Sequence, residues 1–233
     1  FLNKDNVIAI STRDDIDTLR KYVDNSKEIA LTADSALFVE SLFNVSSPKD
    51  TISLGIGIIA PEKFDQYSDD SYSKNYVVLI RSLIKSCLGK KINFKLFTNG
   101  HIKDYNFGIQ LLQEFNLDTS YIVERPKNYH NLISDIAQFD KIVTSRLHSC
   151  IIAYGFEIPF FGIDWNGKLS FFADVTKRSD YVTRPLSKID SEYVLNRIFA
   201  FDKDYYKSKN VMSYKQTEEV FLAKNLKRMI GIL

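Results

Sequence analysis

Between Thr51 and about residue 175 the chain alternates short apolar runs with stretches of helical period, a pattern that few folds satisfy. "TISLGIGII" alternates cleanly up to Pro61, "INFKLF" stops at "TNG", and "SYIVE", "KIVTS" and "IPFFGI" are further runs of strand length. Between them, Tyr76, Leu79, Ile80, Leu83, Ile84, Cys87 and Leu88 recur at helical spacing. Further helical stretches cover residues 109–115, "NLISDIAQF" and "RLHSCIIAYGF". This alternation predicts βα units, hence an α/β fold with a Rossmann-like parallel sheet and helices on both faces. Ahead of it, "NVIAIS" and "EIALTAD" read as two strands around the helix "TRDDIDTLRKYV", whose acidic start and basic end suit the helix dipole. "NVSSPKD", residues 44–50, is polar and carries a proline, so it predicts a linker. The tail from Gln216 puts Leu222, Leu226, Met229, Ile230 and Leu233 on one face of a closing helix.

Composition narrows the function classes. A net charge of +2 sets up no field for nucleic acid. His101, His130 and His148 are far apart in sequence and no CxxC occurs, so no metal site is expected. Cys87 and Cys150 lie in apolar, helix-like runs, which predicts reduced, buried thiols in a cytoplasmic protein. No apolar run approaches the roughly eighteen residues of a membrane span. "SLGIGII" forms no GxGxxG, and Ser149 has no GxSxG elbow around it.

Open parallel sheets bind ligands beyond the carboxyl ends of their strands. Arg13 follows "VIAIST", Arg146 and His148 follow "KIVTS", and Lys168 follows "PFFGI" after the short loop "DWNG". One helix joins "KIVTS" to "PFFGI", which predicts neighbouring parallel strands and a shared crevice for Arg146, His148 and Lys168. The free N–H groups of the helix after "KIVTS", with Ser145 or Thr144 as its cap, favour an anion. Arg adds a bidentate fork, Lys a point charge, and His a proton that moves near neutral pH. Asp34 and Asp164 are candidates to orient a cation. Each residue also has a structural reading: Arg13 could pair with Asp14, Asp15 or Asp17, and His148 could cap or pack. Tyr67, Tyr72, Trp165 and Phe171 could stack on a sugar or fill the core. These residues by themselves define an anion-binding α/β domain.

"TSRLHSCIIAYGFEIPFFGIDWNGK" resembles the signature of the polysaccharide pyruvyl transferase family: S-R-x-H, a small-residue helix, a strand ending in G-I, and a Lys just beyond. "ISTRDDIDTLRKY…IALTADSALFV" is similar to a second family stretch, in which a strand ends in R-D and a later one in T-x-D. Ser149 stands where many relatives have Gly. The resemblance implies a two-domain fold like that of GT-B glycosyltransferases, with the active site in the cleft between Rossmann-like halves. On that basis residues 1–44 are expected to be a remnant of the amino-terminal half, most of which this chain, opening at Phe1, does not carry. Residues 45–233 are expected to be the carboxy-terminal donor-binding domain with its closing helices.

The resemblance further implies transfer of a pyruvyl group from phosphoenolpyruvate onto two hydroxyls of a surface polysaccharide or its precursor, giving a ketal. Arg13, Arg146, Lys168 and Ser145 would hold the donor, and His148 with Arg146 would carry the chemistry, His148 as general acid. No cofactor or metal is implied. The partners implied are phosphoenolpyruvate and a saccharide or lipid-linked saccharide, whose lipid would bring the protein to the periphery of a membrane. Two other classes stay open. One is a GT-B-like glycosyltransferase using a nucleotide sugar; enzymes of that fold often carry a Glu that grips the donor ribose, and no such Glu is evident near His148, where Glu157 lies in the turn before "IPFF". The other is a non-catalytic domain of the same fold.

Overall fold

The computed structural model describes residues 2–43, 52–66, 70–184, 190–207 and 209–229. The expected linker at 44–50 lies outside these residues, as do Tyr67, Ile230 and Leu233. Contacts divide the chain into one unit of residues 1–37 with 204–233, and a second of residues 38–203.

In the first unit, β1 (Ala9–Thr12), α1 (Ile16–Arg20) and β2 (Glu28–Leu31) make one βαβ turn. The strands are parallel, with Ala9 opposite Glu28 and Thr12 opposite Leu31. Asp15 caps α1 by accepting from the N–H groups of Asp17 and Thr18, which satisfies donors that the helix itself leaves open.

The second unit opens with α2 (Val39–Leu42) and then alternates β3 (Leu54–Gly57), α3 (Asp70–Gly89), β4 (Phe94–Phe97), α4 (Ile102–Glu114) and α5 (Tyr129–Ala137). It continues through β5 (Ile142–Thr144), α6 (Leu147–Gly155), β6 (Phe160–Ile163), α7 (Lys168–Val175), β7 (Val182–Thr183) and α8 (Ser191–Phe199). The five strands form a parallel sheet in the order β4-β3-β5-β6-β7. β3, β5 and β6 are buried along their length, which is why they read as apolar runs. The expected pairing of "KIVTS" with "PFFGI" is observed, Ile142 opposite Phe160. Tyr76, Leu79, Ile80, Leu83, Ile84 and Cys87 of α3 are buried against the sheet, as their spacing predicts. Both cysteines are free and buried, and burial pushes the Cys87 thiol up to about 12 and the Cys150 thiol well up.

The strand order reverses at β3, which has β4 on one side and β5 on the other. Right-handed crossovers then send the helices after β3 and β5 to opposite faces, and a crevice opens beyond the carboxyl ends of these two strands.

The last helix, α9 (Lys209–Met229), groups with the first 37 residues, not with the second unit. Its Thr217 hydroxyl accepts from the Ala33 N–H at 2.8 Å, and its Lys224 and Arg228 both reach Glu28 at the start of β2. Leu222, Leu226 and Met229 share one face, as expected, and that face is exposed.

"SYIVE" is not a strand. Asp118 caps a short 3-10 turn over residues 119–121, and only Ile122 bridges to Leu96 before the chain runs into Pro126, which has no N–H for a ladder. α7, β7 and α8 were not anticipated by the periodicity of the sequence.

Candidate functional site

The loops after β3, β4, β5 and β6 meet at the carboxyl edge of the second unit's sheet. After β5, Thr144 and Ser145 are buried, and Thr144 Oγ1 accepts from the Arg146 N–H at 3.2 Å. Neither residue caps α6, contrary to expectation. The cap position is Arg146, in extended backbone, and its side chain makes no capping hydrogen bond. Ser145 faces Tyr76, whose hydroxyl accepts from the Ile59 N–H and whose acidity burial strongly suppresses.

The Arg146 guanidinium bonds to the carboxylate of Asp104, which is fully buried in the first turn of α4. Asp104 also accepts from the Ala60 N–H at 2.9 Å, just beyond β3. Arg146 is therefore fixed at the point where the sheet order reverses, by a carboxylate that locks the neighbouring loop as well. An isolated buried carboxylate is costly, and its stability here depends on this cation and these N–H partners. The sequence does not disclose the pair, because its members lie 42 residues apart and follow different strands. An acid in the first turn after "TNGH" is visible, but it reads equally as a helix-dipole residue.

His148 follows two residues after Arg146, in the first turn of α6, with its side chain exposed. Beside it Ser149 is buried and donates to Asn99 Oδ1 in the loop after β4 at 2.7 Å. The loop after β6 closes the other side: Trp165 Nε1–H donates to the Ser145 carbonyl at 3.1 Å, and its ring lies 5.6 Å from that of Phe64. Trp165 is thus part of the packing. Lys168 opens α7 and is exposed. Asp164 is fully buried and accepts from the N–H groups of Asn166, Gly167 and Ser170, which folds "DWNG" into the start of α7. Its charge also faces Arg184 at 3.6 Å. Ser145, Arg146, His148, Asp164 and Lys168 accordingly share one edge of the second unit.

Arg13 and Asp34 belong to the first unit. Arg13 follows β1 and bonds to the buried carboxylate of Asp34, not to Asp14, Asp15 or Asp17. Asp34 is held in turn by its own loop, accepting from the Ala36 N–H at 2.8 Å. Tyr214 of α9 lies close enough to Arg13 to feel its charge, although burial dominates and raises the phenol to about 12. Asp34 and Asp164, the two aspartate candidates, therefore each face a cation. Glu157 is exposed in a left-handed turn after the carboxyl end of α6, at the opposite edge of the sheet from His148. Among the described residues no cluster of His, Cys, Asp and Glu could hold a metal, and no helix is long and apolar enough to cross a membrane.

A family model described as polysaccharide pyruvyl transferase matches residues 1–167. Among solved structures, the chain is similar to the UDP-GlcNAc 2-epimerase of Methanocaldococcus jannaschii in complex with UDP-GlcNAc and UDP. That likeness has 14% sequence identity and a TM-score of 0.47 and covers 79% of this chain. The match spans 51% of the epimerase, about half its length. No curated protein sequence matches the chain.

Proposed function

The chain belongs to the polysaccharide pyruvyl transferase family, and from that premise we propose that it moves a pyruvyl group from phosphoenolpyruvate onto two hydroxyls of a saccharide, forming a ketal. The observation that carries the reading is the Arg146–Asp104 pair at the reversal of the sheet, with exposed His148 two residues on. Arg146 and the first-turn N–H groups of α6 suit the donor's phosphate, since an arginine fork and a helix start both favour an oxyanion. Ser145 and Lys168 line the same edge, and Arg13 keeps its assignment to the donor from the motif it matches.

In this scheme His148, as imidazolium, gives a proton to the methylene carbon of the donor. The electron pair of the C=C bond forms the new C–H bond and leaves an oxocarbenium-like centre at the adjacent carbon. The first sugar hydroxyl adds there and its proton returns to His148. The C–O bond to phosphate then breaks, and the second hydroxyl closes the ketal as its proton passes to the departing phosphate. General acid work of this kind contributes about 10²- to 10⁴-fold in rate. The acceptor is a surface polysaccharide or a lipid-linked precursor, and buried thiols support a cytoplasmic location.

Calorimetry with phosphoenolpyruvate tests the reading. Arg146→Ala alone strands a buried carboxylate, at a cost of about 3–5 kcal/mol, so the informative variant is Arg146→Ala combined with Asp104→Asn. Binding should vanish in that variant, while His148→Asn should bind the donor and fail to turn it over. A wild-type chain that ignores phosphoenolpyruvate but is stabilised by UDP- or GDP-sugars would overturn the proposal.

A further inference from the structure

Three arginines follow strand ends, Arg13 after β1, Arg146 after β5 and Arg184 after β7, and each faces a buried aspartate. The arginine side chains are 44%, 24% and 49% exposed, whereas Asp34, Asp104 and Asp164 are 4%, 0% and 0% exposed. A solvated surface charge has no need of such a partner, and burying a carboxylate is costly. The arrangement instead fixes each cation in place while leaving part of it open to solvent.

Arg184 differs from the other two in what its donors do. The Asp164 oxygens already accept from three backbone N–H groups and from the Ser170 hydroxyl. Arg184 Nε stays 3.6 Å from Asp164 Oδ2, held by charge without a hydrogen bond. Among the described residues no protein acceptor takes any of its five N–H donors. Its guanidinium also lies against Gly167, where an added Cβ would come 3.6 Å from Nη2, so it stands beside the residue that precedes Lys168. The Lys168 ammonium likewise has no partner among the described residues. β5, β6 and β7 are consecutive in the sheet, which separates the strands of Arg146 and Arg184 by about 10 Å. Two arginine side chains span that distance with a small ligand between them. Trp165 ties the loop that carries Lys168 to the backbone of Ser145, keeping the two cationic groups in register.

We propose that Arg184, with Lys168 beside it, is the carboxylate-binding cation of the donor site, while Arg146 and the start of α6 take the phosphate. This assignment rests on the pyruvyl-transfer reading above. Phosphoenolpyruvate carries both anions on one carbon centre, and a guanidinium fork matches a carboxylate bidentately. A sugar phosphate, with one anionic group, would leave Arg184 unused.

The test is calorimetric titration of the full chain with phosphoenolpyruvate and, separately, with methyl phosphate, which lacks the carboxylate. The wild type should bind phosphoenolpyruvate more tightly. In Arg184→Met that affinity should fall about 10- to 100-fold, the worth of a charge-assisted hydrogen-bond pair, while methyl phosphate binds as before. Arg184→Lys should recover part of the loss, because charge returns without the fork. Thermal melting should be little changed, since Asp164 keeps its four donors. Equal losses for both ligands, or no loss, would overturn the assignment. So would a wild type with no preference for phosphoenolpyruvate over methyl phosphate, which sinks Arg184 alone. A wild type that binds neither would overturn the pyruvyl-transfer reading as well.

Discussion

Asp135 sits half-buried on α5, where burial, with Glu124 adding like charge, pushes its carboxyl from 3.8 up to about 6. The folded chain therefore holds this proton more tightly than the unfolded one. The resulting stability is fully present below 3.8 and is lost as pH rises through about 6. Asp135→Asn, uncharged at every pH, should raise the melting temperature at pH 7.5 and change it far less at pH 4. An equal change at both values would count against this account. At the same scale, the places of Arg146, His148 and Lys168 at the carboxyl edge of the sheet were legible because each follows an apolar run that had to be a strand. Asp104 was not, since a buried partner for a cation is a fact of folding and not of spacing. Arg13 shows the same limit: three nearby aspartates offered themselves, and the fold chose Asp34, 21 residues on.

At the scale of elements, Gly57 sets how closely β3 and β5 approach at the reversal of the sheet. It pairs with Thr144, and a Cβ there would fall 2.3 Å from Thr144 Oγ1 and 2.7 Å from the Phe97 ring. Gly57→Ala should cost about 1–3 kcal/mol by overpacking, read as a shift in the denaturant midpoint. It should also weaken donor binding, because Thr144 Oγ1 holds the Arg146 N–H. Gly89→Ala is the control: nothing lies within 4 Å of its added Cβ, and stability should hold or rise slightly. If both variants behave alike, the close approach is not what Gly57 is for. The pairing of β5 with β6 was readable because a single helix joins two apolar runs. β7 was not, being two residues long, too short for any period. "SYIVE" has strand composition, yet the turn at Asp118 and the downstream proline leave it a single bridge.

At the scale of the molecule, family membership rests on a match over residues 1–167, and the chain falls into two units, each with its own parallel strands. The first unit is closed by residues from both ends of the sequence, with Glu28 taking Lys224 and Arg228. These are partly exposed pairs, each worth up to about 1 kcal/mol. Glu28→Ala should therefore speed amide hydrogen exchange in α9 without unfolding the chain, while exchange in α6 stays as it was. Faster exchange in both helices would mean that the two units unfold together. The grouping of α9 with residues 1–37 is a long-range contact that no local pattern announces.

Trp165 is the chain's single tryptophan. Its indole N–H is spent on the carbonyl of Ser145, the residue just before Arg146. Light absorbed at the red edge of the protein spectrum is thus emitted from one place only, the rim of the proposed donor site. Any anion that draws the loops after β5 and β6 together should shift or quench that emission. The unlabelled protein then carries its own optical gauge of occupancy, fast enough to follow a single turnover in a stopped-flow cell.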